Sequence, residues 1–517
     1  MNFVETELKL EVEPGAVERL KSLPSLQAIL QGPPRSQQLR SVYFDTPALT
    51  LYHAGLSLRV RDDGDGHVQT VKTLAASRSS LFQRGEWEQR IAGDSPERKA
   101  ATGSPLEPLI AHRKLRKSLR PIFETRVERT ILDLADGKSE MRLAFDLGEV
   151  SADRGSVPVH ELELELTQGD PSRLFALAKK LNAVAPLRLG AASKAERGYA
   201  LLQDRQQPTP AKANSVDLKP EMSCSAAFQA ICLSCLDHLL RNEPIFRQSG
   251  EPEALHQIRV AMRRLRAAIA LFRTVAADDR RDKIDGQLRT IIHHLNAARD
   301  TDQFLAKVLR PTLRQHSGEP GLLDLDLYFA RRRDQAFDRA RQALDSKRFR
   351  HLILEIEEWV RTGRWLKSVG ADQPVDRLAK RVLRARRRRV AKRGDHLERL
   401  SAAERHKVRI QAKTLRYGAQ FFAGLWSGKK AAARRDKLLD ALQRMQDDLG
   451  DFHDIVVSHD ALVKLIETPP EDGEMSPTAL GFAGGLVAGL QTPRLDALIA
   501  AACEDYKAFA GAKAFWR

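Results

Sequence analysis

Several things are scarce in this sequence, and each scarcity narrows the reading. Four cysteines among 517 residues are too few for a disulfide framework. Cys232 and Cys235 form a Cys-x-x-Cys, but Leu233 and Ser234 lie in a run of helical pattern and no second pair completes a zinc site. They are expected to be helix cysteines in a reducing cytoplasm. Aromatic residues supply only 6% of the chain. The opening MNFVETELKL has neither a basic segment nor an apolar run, so no signal peptide is expected. The longest apolar stretch, Ala479 to Leu490, is too short and too rich in glycine to span a bilayer. No P-loop or other separate nucleotide signature is present. Charge balance is missing too: 85 Lys and Arg against 68 Asp and Glu give a net charge of +17. Residues 1–204 hold 29 basic and 28 acidic residues, whereas 205–517 hold 56 and 40. Nearly all the excess therefore sits in the second part, where such a field attracts nucleic acid, anionic lipid or polyphosphate without choosing among them.

A chain of this length exceeds one hydrophobic core, and its apolar period changes along the way. Up to residue 204 the pattern alternates: Val4 to Val12, Leu56 to Arg61 and Val159 to Leu166 each put apolar residues on one face and charges on the other, as strands of an antiparallel sheet do. Helical stretches interrupt near 14–31 and 171–184, so this part is expected to be α+β. Residues 205–221 carry prolines and no apolar period and read as a linker. Beyond them the spacing is three-to-four, in long helices rich in Arg, Ala and Leu, so 222–512 is expected to be all-α.

The helical part contains a repeat. His256, Arg259, Arg263, Leu265 and Arg266 recur in register as His406, Arg409, Lys413, Leu415 and Arg416. Each copy is followed by a second match, Leu295 to Asp300 and Leu449 to Asp454, and the spans from first His to last Asp are 44 and 48 residues. Two similar helical units, about 222–370 and 371–512, are expected. Around a helix at ~100° per residue, His256, Arg259, Arg263 and Arg266 fall within about 80° of one another. Ile258, Leu265, Ile269 and Phe272 lie opposite, toward a core. Residues 377–393 add ten Arg or Lys among seventeen. A surface that stacks bases wants aromatics among its cations, and only Tyr417 adjoins a stripe, so nucleic acid is disfavoured and a backbone-like polyanion suits better.

In the first part the charged faces are segregated strand by strand. Glu5, Glu7, Lys9 and Glu11 share one face of the first strand, and Glu161, Glu163 and Glu165 share one face of a late strand. Arg59 and Arg61, Thr70 and Lys72, and Arg84, Glu86, Glu88 and Arg90 supply further charged faces, with Arg126 on a strand of the same kind. Closing the sheet into a barrel would turn these faces inward. Carboxylates that hold Mg²⁺ or Mn²⁺ beside cations that neutralise phosphate oxygens suit phosphoryl hydrolysis.

These motifs resemble a known family. Glu5-x-Glu7-x-Lys9 near the start is similar to the hallmark of the CYTH, or triphosphate tunnel metalloenzyme, superfamily. Tyr43-Phe44-Asp45-Thr46, Leu58-Arg59-Val60-Arg61, Thr70-Val71-Lys72, Arg84-Gly-Glu86-Trp-Glu88, Arg126, Phe145-Asp146, Glu161-x-Glu163-x-Glu165 and Ser193 to Tyr199 follow in order over residues 1–204. The resemblance implies a closed antiparallel barrel or tunnel with flanking helices. It implies catalytic or metal-side roles for Glu5, Glu7, Glu163 and Glu165, with Glu88, Asp146 and Glu161 as further Mg²⁺ or Mn²⁺ ligands. Lys9, Arg59, Arg61, Lys72, Arg84, Arg126 and Lys194 would hold triphosphate, and Lys72 would also serve the leaving phosphate as a general acid. Tyr43 and Asp45 serve packing and a turn as readily as function. The repeated blocks over about 222–512 resemble the CHAD domain, which implies helical units that bind polyphosphate through His256, Arg259, Arg263, Arg266, His406, Arg409, Lys413 and Arg416 and associate with polyphosphate granules. Asp300 and Asp454 are expected to orient arginines. Asn296 stands where the second copy has Gly450, so the helix-end turn is expected to differ there. Together the two resemblances imply metal-dependent hydrolysis of inorganic triphosphate by a cytoplasmic protein. The alternatives are a non-catalytic polyphosphate scaffold, or a CYTH enzyme acting on ATP or thiamine triphosphate.

Overall fold

The computed structural model describes residues 6–74, 81–82, 85–190, 192–203, 209–468 and 476–516. Two compact units are present, one of Met1–Pro210 with Ser346–Thr362, the other of Ala211–Asp345 with Gly363–Arg517.

The first unit is built on an antiparallel sheet of β1 (Thr6–Val12), β2 (Arg35–Asp45), β3 (Leu56–Asp62), β4 (His67–Thr73), β5 (Leu81–Phe82), β6 (Glu86–Ile91), β7 (Arg120–Ala135), β8 (Glu140–Ala152), β9 (Gly155–Gln168) and β10 (Leu187–Leu189). The strands run in the order β10-β1-β9-β8-β7-β2-β3-β4-β6, with β5 also paired to β1. Cross-strand partners point to the same face, so the register fixes which side chains share it. Glu7 opposes Glu165 and Lys9 opposes Glu163; Asp146 opposes Glu161 and Arg129. Tyr43 opposes Arg59, Arg59 opposes Thr70, Ser57 opposes Lys72, and Thr70 and Lys72 oppose Glu88 and Glu86. One face of the sheet thus collects the charges expected from the alternation.

The other face is apolar. Leu8, Leu10, Leu58, Val60, Val71, Leu143, Phe145, Leu162 and Leu164 are buried there. They pack with the surrounding helices, among them α1 (Ser172–Val184), whose Leu174, Phe175, Ala178 and Leu181 are buried. The core lies outside the sheet, and this leaves the inner face to charge. The expected helix over 14–31 is broken into a 3-10 turn at Pro14–Ala16 and short helices at Val17–Lys21 and Pro24–Gln27. Pro24 starts the last of these, because its missing N–H and fixed φ suit a first helical turn.

No ladder joins β5 to β6 among the described residues, so the hydrogen-bonded closure of a barrel is not seen. The chain does pass from β5, at the β1 edge, to β6, at the far edge, between residues 82 and 86.

The second unit repeats four long helices. The first set is α3 (Cys224–Ser249), α4 (Pro252–Leu271), α5 (Asp279–Phe304) and α6 (Pro320–Asp345). The second is α7 (Val375–Gly394), α8 (Ala402–Phe421), α9 (Lys429–Glu467) and α10 (Pro477–Gly511). Each helix packs on the next within its set, and each also meets its counterpart, α3 with α7, α4 with α8, α5 with α9 and α6 with α10. Ile258, Leu265, Ile269 and Phe272 are buried, as are Val408, Leu415 and Phe422 in the second copy. Cys232 and Cys235 are free thiols buried within α3. No described helix is long and apolar enough to cross a membrane.

Candidate active site and facing basic helices

The charged face of the first unit is a dense ion-pair network. Lys9 Nζ lies 2.7 Å from Glu163 and 3.4 Å from Glu161. Arg129 donates to both oxygens of Asp146 at 2.6 Å and to Glu163 at 2.5 Å. Lys194 Nζ reaches Asp146 at 2.7 Å, Glu161 at 2.5 Å and Glu163 at 3.3 Å, and Arg197 reaches Glu161 at 3.0 Å. Asp146 and Glu161 are fully buried. Burial opposes ionisation of Glu161, yet Lys194, Lys9 and Arg197 overcome it and hold the carboxyl down to about 2. Ions buried at this cost are weak evidence of stability, which points to chemistry as the reason they are kept.

Helix α2 (Lys194–Leu202) supplies two of these cations. Ser193 caps it: its hydroxyl accepts from the Glu196 N–H while Glu196 accepts from the Ser193 N–H at 2.7 Å, an arrangement that stabilises a helix start by about 1 kcal/mol. Its Ala195 and Tyr199 pack with Tyr43, Phe123, Val127 and Val150. A Cβ at Gly198 would stand 2.2 Å from the Phe123 ring, so only glycine lets the helix come this close. Tyr199 donates to Asp45 at 3.0 Å, and the same carboxylate accepts from the Leu51 and Tyr52 N–H groups at 2.9 and 3.0 Å. Asp45 is therefore a structural anchor, and Tyr43 is buried against Phe123.

Across the sheet the balance is different. Arg59 and Arg61 stand side by side on β3. Repulsion from Arg59, then burial, then Arg129, lower the Arg61 guanidinium to about 10. Arg59 lies 3.6 Å from Glu86 and 3.4 Å from Glu88, Lys72 lies 2.7 Å from Glu86, and Thr70 donates to Glu88 at 2.9 Å. Nε of both Arg59 and Arg61 is buried without a partner. Two crowded arginines, both still charged at neutral pH, form a place that an anion would relieve. Glu7, on β1, feels Lys72, on β4, although five strands lie between them in the sheet order. The sheet is therefore curled enough for its charged face to look across at itself.

A divalent cation would enter among the carboxylates. Asp146, Glu161 and Glu163 can bring ligand atoms within 4.8 Å of one another, but Lys194 already sits among them with its ammonium. Of the expected ligands, Asp146 and Glu161 are also partners of Lys194, Arg129 and Arg197 in this structure, and Lys194 lies among them as a counter-ion. The chemistry fits better at Glu7. Its Oε1 is buried without a hydrogen bond, and its carboxyl is pushed up first by burial and then by Glu163. Its β9 neighbour Glu165 is half-buried, and among the described residues its one ion-pair partner is Arg142 at 3.7 Å. A cation between Glu7, Glu163 and Glu165 would relieve this repulsion.

Arg126 is a further correction. It lies on the opposite face of β7, exposed and paired with Glu124 at 2.7 Å. Three residues on, Arg129 holds the inward position. Its signal was available, since Val127 and Arg129 share the parity that puts Asp146 and Glu161 inside. Glu5 and Arg84 lie outside the described residues.

In the second unit the two stripes converge. Lys413 on α8 is lowered to about 6 by burial and then by Arg409, Arg263, Arg416 and Arg259, two of which come from α4. His256 and His406 are held neutral, at about 3 and about 4, by burial first and then by the surrounding cations and His453. Arg263, Arg409 and Lys413 make no ion pair among the described residues. The outer members are engaged: Arg266 with Asp285 at 2.7 Å, and Arg416 with Gln443. Asp300 lies 3.6 Å from Arg259, an orienting contact. Positions 296 and 450 fall inside α5 and α9, not at helix ends, so the expected difference in a turn does not arise. Asn296 instead accepts from Arg259 at 2.9 Å, whereas a Cβ at Gly450 would stand 2.9 Å from Arg409 Nη2.

The first unit is thus an α+β domain with an inward charged face, and the second an all-α domain of two repeats that join their cations. The chain carries a CYTH domain followed by a CHAD domain: the CYTH domain model matches residues 4–199, and the CHAD domain model matches residues 230–463. Over 198 residues it is 30% identical to an inorganic triphosphatase of Haemophilus influenzae, covering 38% of this chain and 54% of that protein. The chain therefore spans about half the length of that relative. Among solved structures it is similar to the CHAD domain from the plant Ricinus communis, with 31% identity over 57% of this chain and 97% of that one and a TM-score of 0.49. It is also similar to a Hippeastrum protein described as an adenylyl cyclase with a dominant triphosphatase activity, with 20% identity over 40% of this chain and 98% of that one and a TM-score of 0.31.

Proposed function

We propose that the first unit hydrolyses inorganic triphosphate to pyrophosphate and phosphate with Mg²⁺ or Mn²⁺, and that the second binds inorganic polyphosphate. One observation carries the reading most: Arg59 and Arg61, crowded together with an unpartnered buried Nε each, and Glu7, whose buried Oε1 has no hydrogen bond and which Glu163 repels, share one inward face. A substrate that brings both anionic oxygens and a divalent cation satisfies both sides at once.

Arg59, Arg61 and Lys72 bind and orient the terminal phosphates, and Arg129 holds Asp146 and Glu163 in place. Glu7, Glu163 and Glu165, with Glu5, would hold the metal, which would screen the phosphate charge and activate water. Lys72, whose ammonium pairs with Glu86 at 2.7 Å, gives a proton to the departing phosphate oxygen. Lys194 and Lys9 keep Glu161 and Glu163 ionised.

The test is phosphate release by the full chain from triphosphate, ATP, thiamine triphosphate and long-chain polyphosphate, with each metal and with chelator. Triphosphate should be the best substrate and chelator should abolish turnover. Robust ATP hydrolysis with negligible triphosphate hydrolysis would overturn the substrate, and metal-independent turnover would overturn the mechanism.

A further inference from the structure

Helix α7 carries a group of cations that the two histidine stripes do not use. At ~100° per residue, Arg377, Arg381, Arg384, Arg388 and Lys392 fall within about 80° of one another. All five are exposed. The buried residues Ala379, Leu383 and Val390 lie on the opposite side of the helix. From Arg377 to Lys392 the ridge runs ~22 Å at 1.5 Å per residue, with successive cations about 4.5 or 6 Å apart along the axis.

These charges are available. Arg381 donates to the Thr274 hydroxyl at 3.2 Å, a neutral partner that cancels no charge. Among the described residues the other four make no ion pair. The acid nearest in sequence, Asp376, is taken by Lys380 at 3.2 Å. The ridge is also separate from the stripes: the cations that bear most on Lys413 and His256 all come from the stripes and Arg299, and none from α7.

What the ridge lacks selects its partner. No exposed large apolar or aromatic side chain lies on α7, so it has nothing to stack on bases and nothing to insert into lipid. It reads only repeated negative charge, and four of its five cations are arginines, whose planar forks match phosphate oxygens in pairs.

We propose that this ridge is a second surface for inorganic polyphosphate, distinct from the facing stripes, so that one protein grips a long chain at two places. The inference rests on reading the second unit as a polyphosphate binder. Linking two weak sites through one polymer raises affinity without any new contact type, and the gain appears only with chains long enough to reach both.

The experiment uses the full chain with labelled polyphosphate, one preparation short enough to fill only the stripes and one of hundreds of phosphates, plus duplex DNA. The ridge variant is R377Q/R384Q/R388Q/K392Q and the stripe variant is R263Q/K413Q, each checked by circular dichroism. The ridge side chains touch no core, so the fold should be retained. The ridge variant should bind short chains like the wild type. It should bind long chains about tenfold or more weaker, with a shallower dependence on salt. The stripe variant should lose short-chain binding. The proposal is overturned if the ridge variant keeps full long-chain affinity, if it loses short and long chains equally, or if it loses only duplex DNA. A wild type that binds neither length would instead remove the polyphosphate reading of the whole unit, and the ridge assignment with it.

Discussion

At the scale of single residues, parity along a strand decides what a charge can do. Arg126 and Arg129 are three apart on β7 and therefore on opposite faces. Arg129→Ala should lower turnover of triphosphate by tenfold or more, because it removes a bidentate partner of Asp146 and a contact to Glu163, whereas Arg126→Ala should leave turnover within about twofold. Steady-state kinetics of both variants check this, and equal losses would mean the register is misjudged. Lys413 offers a different kind of residue-level test. Burial and four neighbouring cations hold it at about 6, while the unfolded chain keeps its proton up to about 10.4. Between those values the unfolded state binds more protons, so stability falls as pH drops from about 10 toward 6. Lys413→Met should therefore raise the melting temperature at pH 7, raise it less near pH 9.5, and weaken polyphosphate binding. Differential scanning calorimetry at the two pH values, with a polyphosphate titration, would show whether stability was given up there for function.

At the scale of elements, two glycines set how closely helices approach their partners. Gly198→Ala would drive a methyl group into the Phe123 ring at 2.2 Å. Aromatic rings cannot swing away as a flexible chain tip can, so the change should destabilise the first unit by about 1–3 kcal/mol and lower activity by shifting Lys194 and Arg197. Chemical denaturation and kinetics would register both. Gly450→Ala should act in the opposite sense on stability. It improves helix propensity in α9 by up to ~1 kcal/mol, and the atom it meets is the movable end of Arg409. The expected outcome is a higher melting temperature with weaker polyphosphate binding. Much of this level was legible in the sequence. The alternation of β1, β3 and β9 and the periodic spacing of α4 and α8 gave element type and buried face, because each period reports directly which side meets a core. The break within 14–31 was signalled by Pro24. Arg126 was misplaced because its strand was recognised without its parity.

For the whole molecule, the first unit draws one helix from far along the chain. Lys347–Thr362 packs with α1 and β10, Arg350 donates to Asn182 at 3.1 Å, and Lys179 pairs with Glu358 at 2.7 Å. A protein ending at residue 210 should therefore melt below the first unit of the full chain, and fusing residues 346–362 to it should restore much of the difference. Thermal melts of the three constructions, followed by triphosphatase assays, distinguish a lost support from a lost site. Unchanged melting of the short chain would show that the helix contributes nothing there.

The sequence by itself determined the two fold classes, the twofold helical repeat and the residue types at the inward face, because periodicity and short motifs are local properties. Tertiary structure decided which charges neutralise each other. Lys194 is 48 residues from Asp146, and its ammonium sits at 2.7 Å from that carboxylate, so a set of acids that reads as a metal site along the chain is partly satisfied in space. The same holds for the stripes: only the packing of α4 on α8 brings Arg263 beside Lys413 and lowers the lysine toward neutrality. Pairing of buried charges depends on distances between strands and helices remote in sequence, and electrostatic energy in a low-dielectric interior changes steeply with those distances.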